Sequence, residues 1–303
     1  MKAQIAAYLG CLILACGSFA RADVKVTNLE LKGADEASRK AYMAQPVRLW
    51  GTGQYSTDPQ QRVNLISLSN SKTAFILKLD GKVNDKNELT ASMGMMSPSV
   101  ANWYANGFFN FDVGGMTEKN TSVKIADIKS SPELGSVALL YTGPDFKAEL
   151  TVSLAENDDK LMIEFKPEHK SSQARHYRVG LLCYPSSLGG GYQAGLKVRQ
   201  REGMIPSGTL PCKDNFATLN PLAPWVLFYD RHFDVKNNRG EGPCAVLFNS
   251  KDAARQDLLI GNYSCEMNIW YPMERTAQFI LWDFHNWSNE SAQNYMKELE
   301  IEQ

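Results

Sequence analysis

The stretch FKAELTVSL, residues 146–154, decides the fold, because apolar and polar residues alternate along it without a break. Successive side chains of an extended chain point to opposite faces of the sheet. One face therefore receives every apolar residue of the stretch: Phe146, Ala148, Leu150, Val152 and Leu154. This pattern predicts a half-buried antiparallel strand.

Segments of the same kind recur along the whole chain. KLMIEFK (residues 160–166) follows the first stretch through Glu156-Asn157-Asp158-Asp159, whose residues favour a turn, so the two stretches predict a hairpin. The further candidate strands are VKVTNLEL, PVRLWG, RVNLISL, TAFILKL, TSVKIADI, SVALLY, HYRVGLLCY, PWVLFYD, CAVLFN, YSCEMNIWY and TAQFILWDFH. Many short strands separated by Gly, Pro, Asn and Asp predict an all-β protein, a large antiparallel β-sandwich that is supersandwich-like in size. We expect residues 23–303 to form this single domain.

Helical spacing is confined to the two ends of the domain. Residues 34–44 predict a short N-terminal helix. A C-terminal helix is predicted behind Ser288 or Asn289 as its cap, with apolar residues at helical spacing at Ala292, Tyr295, Met296 and Leu299. Two stretches without alternation, at about 94–116 and 185–224, predict long loops.

The first 22 residues have the layout of an export signal, an apolar stretch followed by small residues. Ala20-Arg21-Ala22 fits cleavage before Asp23, whereas the sequence around Cys16 resembles a lipoprotein site at which Cys16 would carry a lipid anchor. No later segment has the apolar length of a transmembrane helix. We therefore expect an exported protein that is periplasmic, cell-surface or secreted.

The net charge and the cysteines limit which partners, cofactors and cross-links the sequence predicts. The net charge of −1 argues against nucleic acid as a partner. No cofactor-binding motif is present, so no cofactor is predicted. After the leader is removed, four cysteines remain as candidates for disulfides in an oxidising compartment, and their spacing does not suggest a zinc site: Cys183, Cys212, Cys244 and Cys265.

Two Asp-x-His pairs end candidate strands, Asp230 with His232 and Asp283 with His285. Together they could form a metal site or an acid–base couple. An up-and-down arrangement of the intervening strands would place the two pairs at opposite ends of the sheet. Separate hydrogen bonding at strand ends is therefore favoured, and no metal site is predicted.

A sugar-binding surface is indicated by the strand YSCEMNIWY, residues 263–271. Its apolar residues alternate to one side, which leaves Glu266, Asn268 and Trp270 together on the other side. A tryptophan ring can stack on a pyranose while amide and carboxylate groups meet the hydroxyls. Trp103 and Tyr104, in the first long loop, are further aromatic candidates. The alternative is that Trp270 is covered by the C-terminal helix or by the 94–116 loop.

Three functional classes remain open. The sequence favours a non-catalytic module that binds a polysaccharide or a cell-surface glycan. A structural or assembly protein of the cell envelope is the second class, and an enzyme that acts on carbohydrates through carboxylates is the third. No G-x-S-x-G, H-E-x-x-H or nucleophilic cysteine motif is present, which favours a protein that is not an enzyme.

The leader generates the first testable prediction. We expect the mass of the natively produced, intact protein to correspond to a chain that begins at Asp23. A lipidated N-terminus at Cys16 would contradict the cleavage site, and an uncleaved chain in the cytoplasm would contradict export.

Overall fold

The computed structural model describes residues 23–44, 56–97, 107–169, 174–185, 200–237 and 242–299. Within these ranges the chain forms 18 strands and two α-helices. The strands are β1 Lys25–Lys32, β2 Gln61–Ser69, β3 Ala74–Val83, β4 Leu89–Ser97, β5 Phe109–Asp112, β6 Ser122–Ser130, β7 Leu134–Gly143, β8 Phe146–Ala155, β9 Lys160–His169, β10 His176–Cys183, β11 Arg201–Ile205, β12 Gly208–Pro211, β13 Lys213–Thr218, β14 Trp225–Asp230, β15 Cys244–Phe248, β16 Arg255–Ile260, β17 Cys265–Pro272 and β18 Ala277–Asp283. The helices are α1 Glu36–Met43 and α2 Asn289–Glu298.

The strands pair into two antiparallel sheets. The first sheet runs β1-β2-β3-β4-β5-β10-β17-β16-β13. The second sheet runs β6-β7-β8-β9-β18-β15-β14-β11-β12. The pairing of Leu89 in β4 with Val123 in β6 connects the two sheets. The all-β sandwich architecture predicted from the alternation is therefore confirmed.

The core lies between the inner faces of the two sheets, and it contains a cluster of aromatic rings that contact one another. Phe165 of β9, in the second sheet, is fully buried. Its ring centroid lies 5.6 Å from that of Phe109 and 5.0 Å from that of Phe111, both on β5 of the first sheet. Tyr177 of β10 adds a ring at 5.8 Å. Such contacts stabilise the fold by more than the burial of their area alone, so they fix how the sheets face each other.

Both predicted helices are present and both begin at a capping side chain. The Asp35 carboxylate accepts the Ser38 N–H at the start of α1, and the Ser288 hydroxyl accepts the Ser291 N–H at the start of α2. Helix α2 packs on the outer face of the second sheet, with Ala292 and Met296 buried there. Strand β14 is consequently buried on both faces, which explains its continuous apolar run. No helix in the described ranges is long and apolar enough to cross a membrane.

The two intervals predicted to be long loops contain strands. The end of β4 and all of β5 fall within 94–116, and β11, β12 and β13 fall within 185–224. Sequence reasoning missed them because β5 and β12 span four residues each, too few for a visible alternation. Prolines at 206 and 211 obscured the β11–β12 hairpin, since proline is tolerated at strand ends and turns.

The aromatic core generates the second prediction. Replacing Phe165 with Ala should lower the free energy of unfolding by about 3–5 kcal/mol, because a fully buried ring is lost from the contact between the sheets. Urea denaturation measures this loss. As a matched control, Phe216→Ala removes a ring that is 47% exposed, and the unfolding free energy should change by about 0.5 kcal/mol or less. Equal losses in the two variants would contradict the placement of the core.

Candidate functional site

The outer face of the first sheet carries the predicted sugar-binding residues. On β17, Cys265, Met267, Ile269 and Tyr271 point into the core, so the residues between them point outward. Asn268 is 6% exposed, whereas Glu266 and Trp270 are half-buried. Helix α2 lies on the other sheet, so it does not cover Trp270. The structure therefore places Glu266, Asn268 and Trp270 together on one non-core surface.

Trp270 is bordered by a charged cluster on the neighbouring strand β16. Arg255 is its partner in the β16–β17 register, and the Arg255 guanidinium carbon lies 4.7 Å from the Trp270 ring centroid. The same guanidinium donates to both carboxylate oxygens of Asp257, at 2.9 and 2.6 Å. The Thr218 hydroxyl adds a third hydrogen bond to Asp257, at 2.8 Å. Arg255 thus occupies one face of the indole ring and is itself held by a bidentate ion pair.

On the other side of β17, Arg178 of β10 organises a network of amides. Its NH1 group donates to the side-chain oxygens of Asn110, at 2.6 Å, and of Asn268, at 2.5 Å. This contact fixes which end of the Asn268 amide is the donor, and the amide nitrogen donates to a Glu266 carboxylate oxygen at 2.9 Å. The chain of contacts from β5 through β10 to β17 presents oriented donors and acceptors on the sheet surface.

Gly180 makes room for this network. It lies between Asn110 and Asn268 in the register of β5, β10 and β17, and a Cβ atom there would lie 2.5 Å from the Asn110 oxygen and 2.7 Å from Arg178 NH1. A side chain at this position would displace the guanidinium. The absence of a side chain at residue 180 is thus a requirement of the site.

Sequence reasoning found three members of this surface and missed the others. Alternation along HYRVGLLCY would place Arg178 and Gly180 on the face opposite Tyr177 and Val179. Nothing local shows that β10 pairs with β17 and β5, which is what brings Arg178 to Asn268. The aromatic candidates Trp103 and Tyr104 lie outside the described residues.

The predicted separation of the two Asp-x-His pairs was wrong. Strand β17 belongs to the first sheet, and β15 lies directly between β14 and β18 in the second. Two strands that are each antiparallel to β15 are parallel to each other, so Asp230 and Asp283 come to the same end of the sheet. The expected up-and-down order failed because the chain leaves the second sheet after β15, forms the β16–β17 pair in the first sheet, and returns to the second sheet with β18.

At this end of the sheet Asp230 is occupied by hydrogen bonds to the backbone. One Asp230 carboxylate oxygen accepts the backbone N–H groups of Gln200, His232 and Phe233, at 2.8–3.3 Å. His285 points to solvent, whereas Asp283 is buried. Across the part of the chain that the structure describes, no three His, Cys, Asp or Glu side chains are grouped to hold a metal ion. Asp230 is therefore a hydrogen-bonding group at a strand end.

Three of the four cysteines gather at the core, and the structure shows no disulfide between any two of these four residues. Cys183 and Cys265 are register partners on β10 and β17, and Cys244 opposes them from β15 of the second sheet. Burial raises the pKa of each of these thiols. A protonated, enclosed thiol is a poor nucleophile, so this cluster does not resemble a catalytic cysteine site.

A concave surface lies at one end of the sandwich, away from the Trp270 face. A cleft of about 520 Å³ opens between β1–β3 and β6–β7. Its lining includes Asn28, Glu30, Arg62 and Asn64 but no aromatic side chain among the described residues. It therefore lacks the stacking surface that the Trp270 face offers.

Comparison with known proteins assigns no family to the chain. No protein-family model matches the chain, and no curated protein matches it. Among solved structures, it resembles an alpha-N-acetylgalactosaminidase from Bifidobacterium bifidum with a TM-score of 0.45 and 9% identity, over 77% of this chain and 39% of that one. A candidate aldose 1-epimerase from Klebsiella pneumoniae subsp. pneumoniae gives a TM-score of 0.45 and 10% identity, over 91% of this chain and 95% of that one. The chain also resembles an alpha-mannosidase from Enterococcus faecalis, with a TM-score of 0.44 and 9% identity, over 92% of this chain and 43% of that one.

These likenesses are too distant to carry a functional argument. The chain spans 39% of the length of the galactosaminidase structure, so the activity of that whole protein does not transfer to it. The protein is an all-β sandwich.

Gly180 generates the third prediction. Gly180→Ala should lower the unfolding free energy by about 0.5–1.5 kcal/mol, because only the flexible ends of Arg178 and Asn110 must move from their rotamers. Gly81→Ala is the matched control, since a Cβ atom there meets backbone atoms of Thr90 and Ala91 that cannot rotate away. It should lower the unfolding free energy by about 3 kcal/mol in urea denaturation. A larger loss in Gly180→Ala than in Gly81→Ala would contradict the described packing.

Proposed function

We propose that the mature protein is exported and binds a polysaccharide or cell-surface glycan through the outer face of the first sheet. The contact surface comprises Trp270, Asn268 and Glu266 of β17, bordered by Arg178 of β10 and Arg255 of β16. Export is supported by the apolar leader that ends in Ala-Arg-Ala.

One observation carries the proposal, a half-buried indole ring beside polar groups that are already oriented. Trp270 is not needed for the core, since its strand packs inward through Met267, Ile269 and Tyr271. The hydrogen bonds that hold Asn268 and Glu266 are made within the sheet, so little side-chain freedom remains to be lost on binding. A rigid ring next to fixed donors and acceptors suits a sugar, which has an apolar ring face and hydroxyls around it.

Binding fits this surface better than hydrolysis. Glycoside hydrolysis needs one carboxyl group as an acid and a second as nucleophile or base. Asp257 is held by Arg255 and Thr218 in three hydrogen bonds, which leaves it little freedom for proton transfer. Glu266 makes one hydrogen bond with the described residues and is the carboxylate most available to a ligand.

The fourth prediction concerns Trp270. A glycan-array screen of the mature protein should give hits, and Trp270→Ala should weaken binding to them about fivefold or more, equivalent to about 1 kcal/mol of lost stacking. Its unfolding free energy should fall by only about 1 kcal/mol, through loss of the contact with Arg255. Trp287→Ala is the aromatic control, because Trp287 packs against Trp282 and Phe284 at the second sheet. It should leave glycan affinity unchanged.

Three results would overturn this account of the surface. A melting temperature depressed by many degrees in Trp270→Ala, corresponding to about 3–5 kcal/mol, would make the ring part of the core. An array without hits would remove glycan binding itself. Hydrolysis of the bound glycans, abolished by Glu266→Gln, would replace the binding module with an enzyme.

A further inference from the structure

We infer that the Trp270 surface recognises an acidic sugar, with Arg178 binding the carboxylate of that sugar. This inference rests on the proposed function and names its ligand class. It comes from the charges of the surface, in which Arg178 has no counterion among the residues that the structure describes.

Three described carboxylates lie on the strands that carry Trp270 and Arg178 or on their neighbours, and each accepts at least one hydrogen bond from another group. Asp257 forms the bidentate pair with Arg255. Asp112, the register partner of Arg178 on β5, accepts the backbone N–H of Gly115 at 2.9 Å. Glu266 accepts from the Asn268 amide. Within the described residues, no carboxylate lies within ion-pair distance of Arg178.

The guanidinium of Arg178 is held on one side and available on the other. Both of its hydrogen bonds within the described part of the chain use NH1, and both acceptors are neutral amide oxygens. The Nε and NH2 groups form the second edge of the planar fork, which matches the two oxygens of a carboxylate. Because Asn110 and Asn268 fix the plane of the guanidinium, this edge has a set direction before any ligand binds.

The position of Arg178 relative to Trp270 suits a pyranose that carries a carboxylate. The two residues are register partners on β10 and β17, so their Cβ atoms are roughly 5 Å apart. Arg255 approaches the ring from β16, on the opposite side of β17 from β10, so a sugar that stacks on the ring would come from the side of β10. The carboxylate of a uronic acid projects from the edge of the sugar ring. A sugar stacked on Trp270 would therefore present this group towards Arg178.

The test compares acidic polysaccharides with their carboxyl-reduced forms. We would measure binding of the mature protein to polygalacturonate, alginate and hyaluronan, each before and after its carboxylates are reduced to primary alcohols. At least one acidic form should bind about tenfold or more tightly than its reduced form, as expected for a charge-assisted bidentate contact. This preference should weaken as salt is added.

Variants separate recognition of the acid from a structural role of Arg178. Arg178→Gln should bring the affinity ratio of acidic to reduced polysaccharide close to one, and Arg178→Lys should leave an intermediate ratio because it keeps the charge without the fork. If Arg178 only supported the sheet, both forms would weaken together and the ratio would persist, which overturns the inference. Arg231→Gln is the charge-matched control at the end of β14 in the second sheet, and it should leave the ratio unchanged.

The failure of the inference is distinguishable from the failure of the proposed function. Equal binding of acidic and reduced forms, or binding of neutral glycans alone, would overturn acid recognition and leave glycan binding intact. Binding of none of these polysaccharides, and of none on the glycan array, would overturn both.

Discussion

The packing of the two inner sheet faces against each other is the constraint on which the rest of the structure depends. Phe165 contacts Phe109, Phe111 and Tyr177 across the interface, so aromatic rings join the two sheets at this point. Once Tyr177 and Val179 of β10 face this core, Arg178 and Gly180 must face outward, because side chains alternate along a strand. The same rule places Glu266, Asn268 and Trp270 on the outside of β17. The core therefore determines which residues can form a binding surface.

The binding surface is rigid for the same reason. Its side chains stand on β5, β10, β17 and β16, and the backbone of each of these strands is paired on both sides. Hydrogen bonds from Arg178 to two asparagines then orient the amides, and Gly180 leaves the space in which the guanidinium lies. Groups held in this way lose little freedom when a ligand binds, which favours affinity at a shallow surface. Changes on this face should affect binding more than folding, because the core contacts lie on the opposite side of the sheet.

Local patterns in the sequence predicted the features of the structure that depend only on residues close together in the chain. The alternation in FKAELTVSL, the hairpin to β9, the two capped helices and the outward set of Glu266, Asn268 and Trp270 all follow from residues close in the chain. The order of the strands within the sheets does not follow from such local patterns. That β17 pairs with β10 and β16, and that β15 separates β14 from β18, depends on packing between distant segments. Arg178, Arg255 and the common end of Asp230 and Asp283 were missed for this reason.

The most direct test of the central claim is hydrogen–deuterium exchange of the mature protein with and without a glycan that it binds. We expect slower exchange in peptides covering β5, β10 and β17, where the Arg178 network and Trp270 would contact the sugar. Peptides covering β1, β2, β6 and β7, which border the cleft at the end of the sandwich, should exchange at unchanged rates. Protection confined to the cleft strands would contradict the account, because it would place the ligand on a surface whose described lining includes no aromatic side chain.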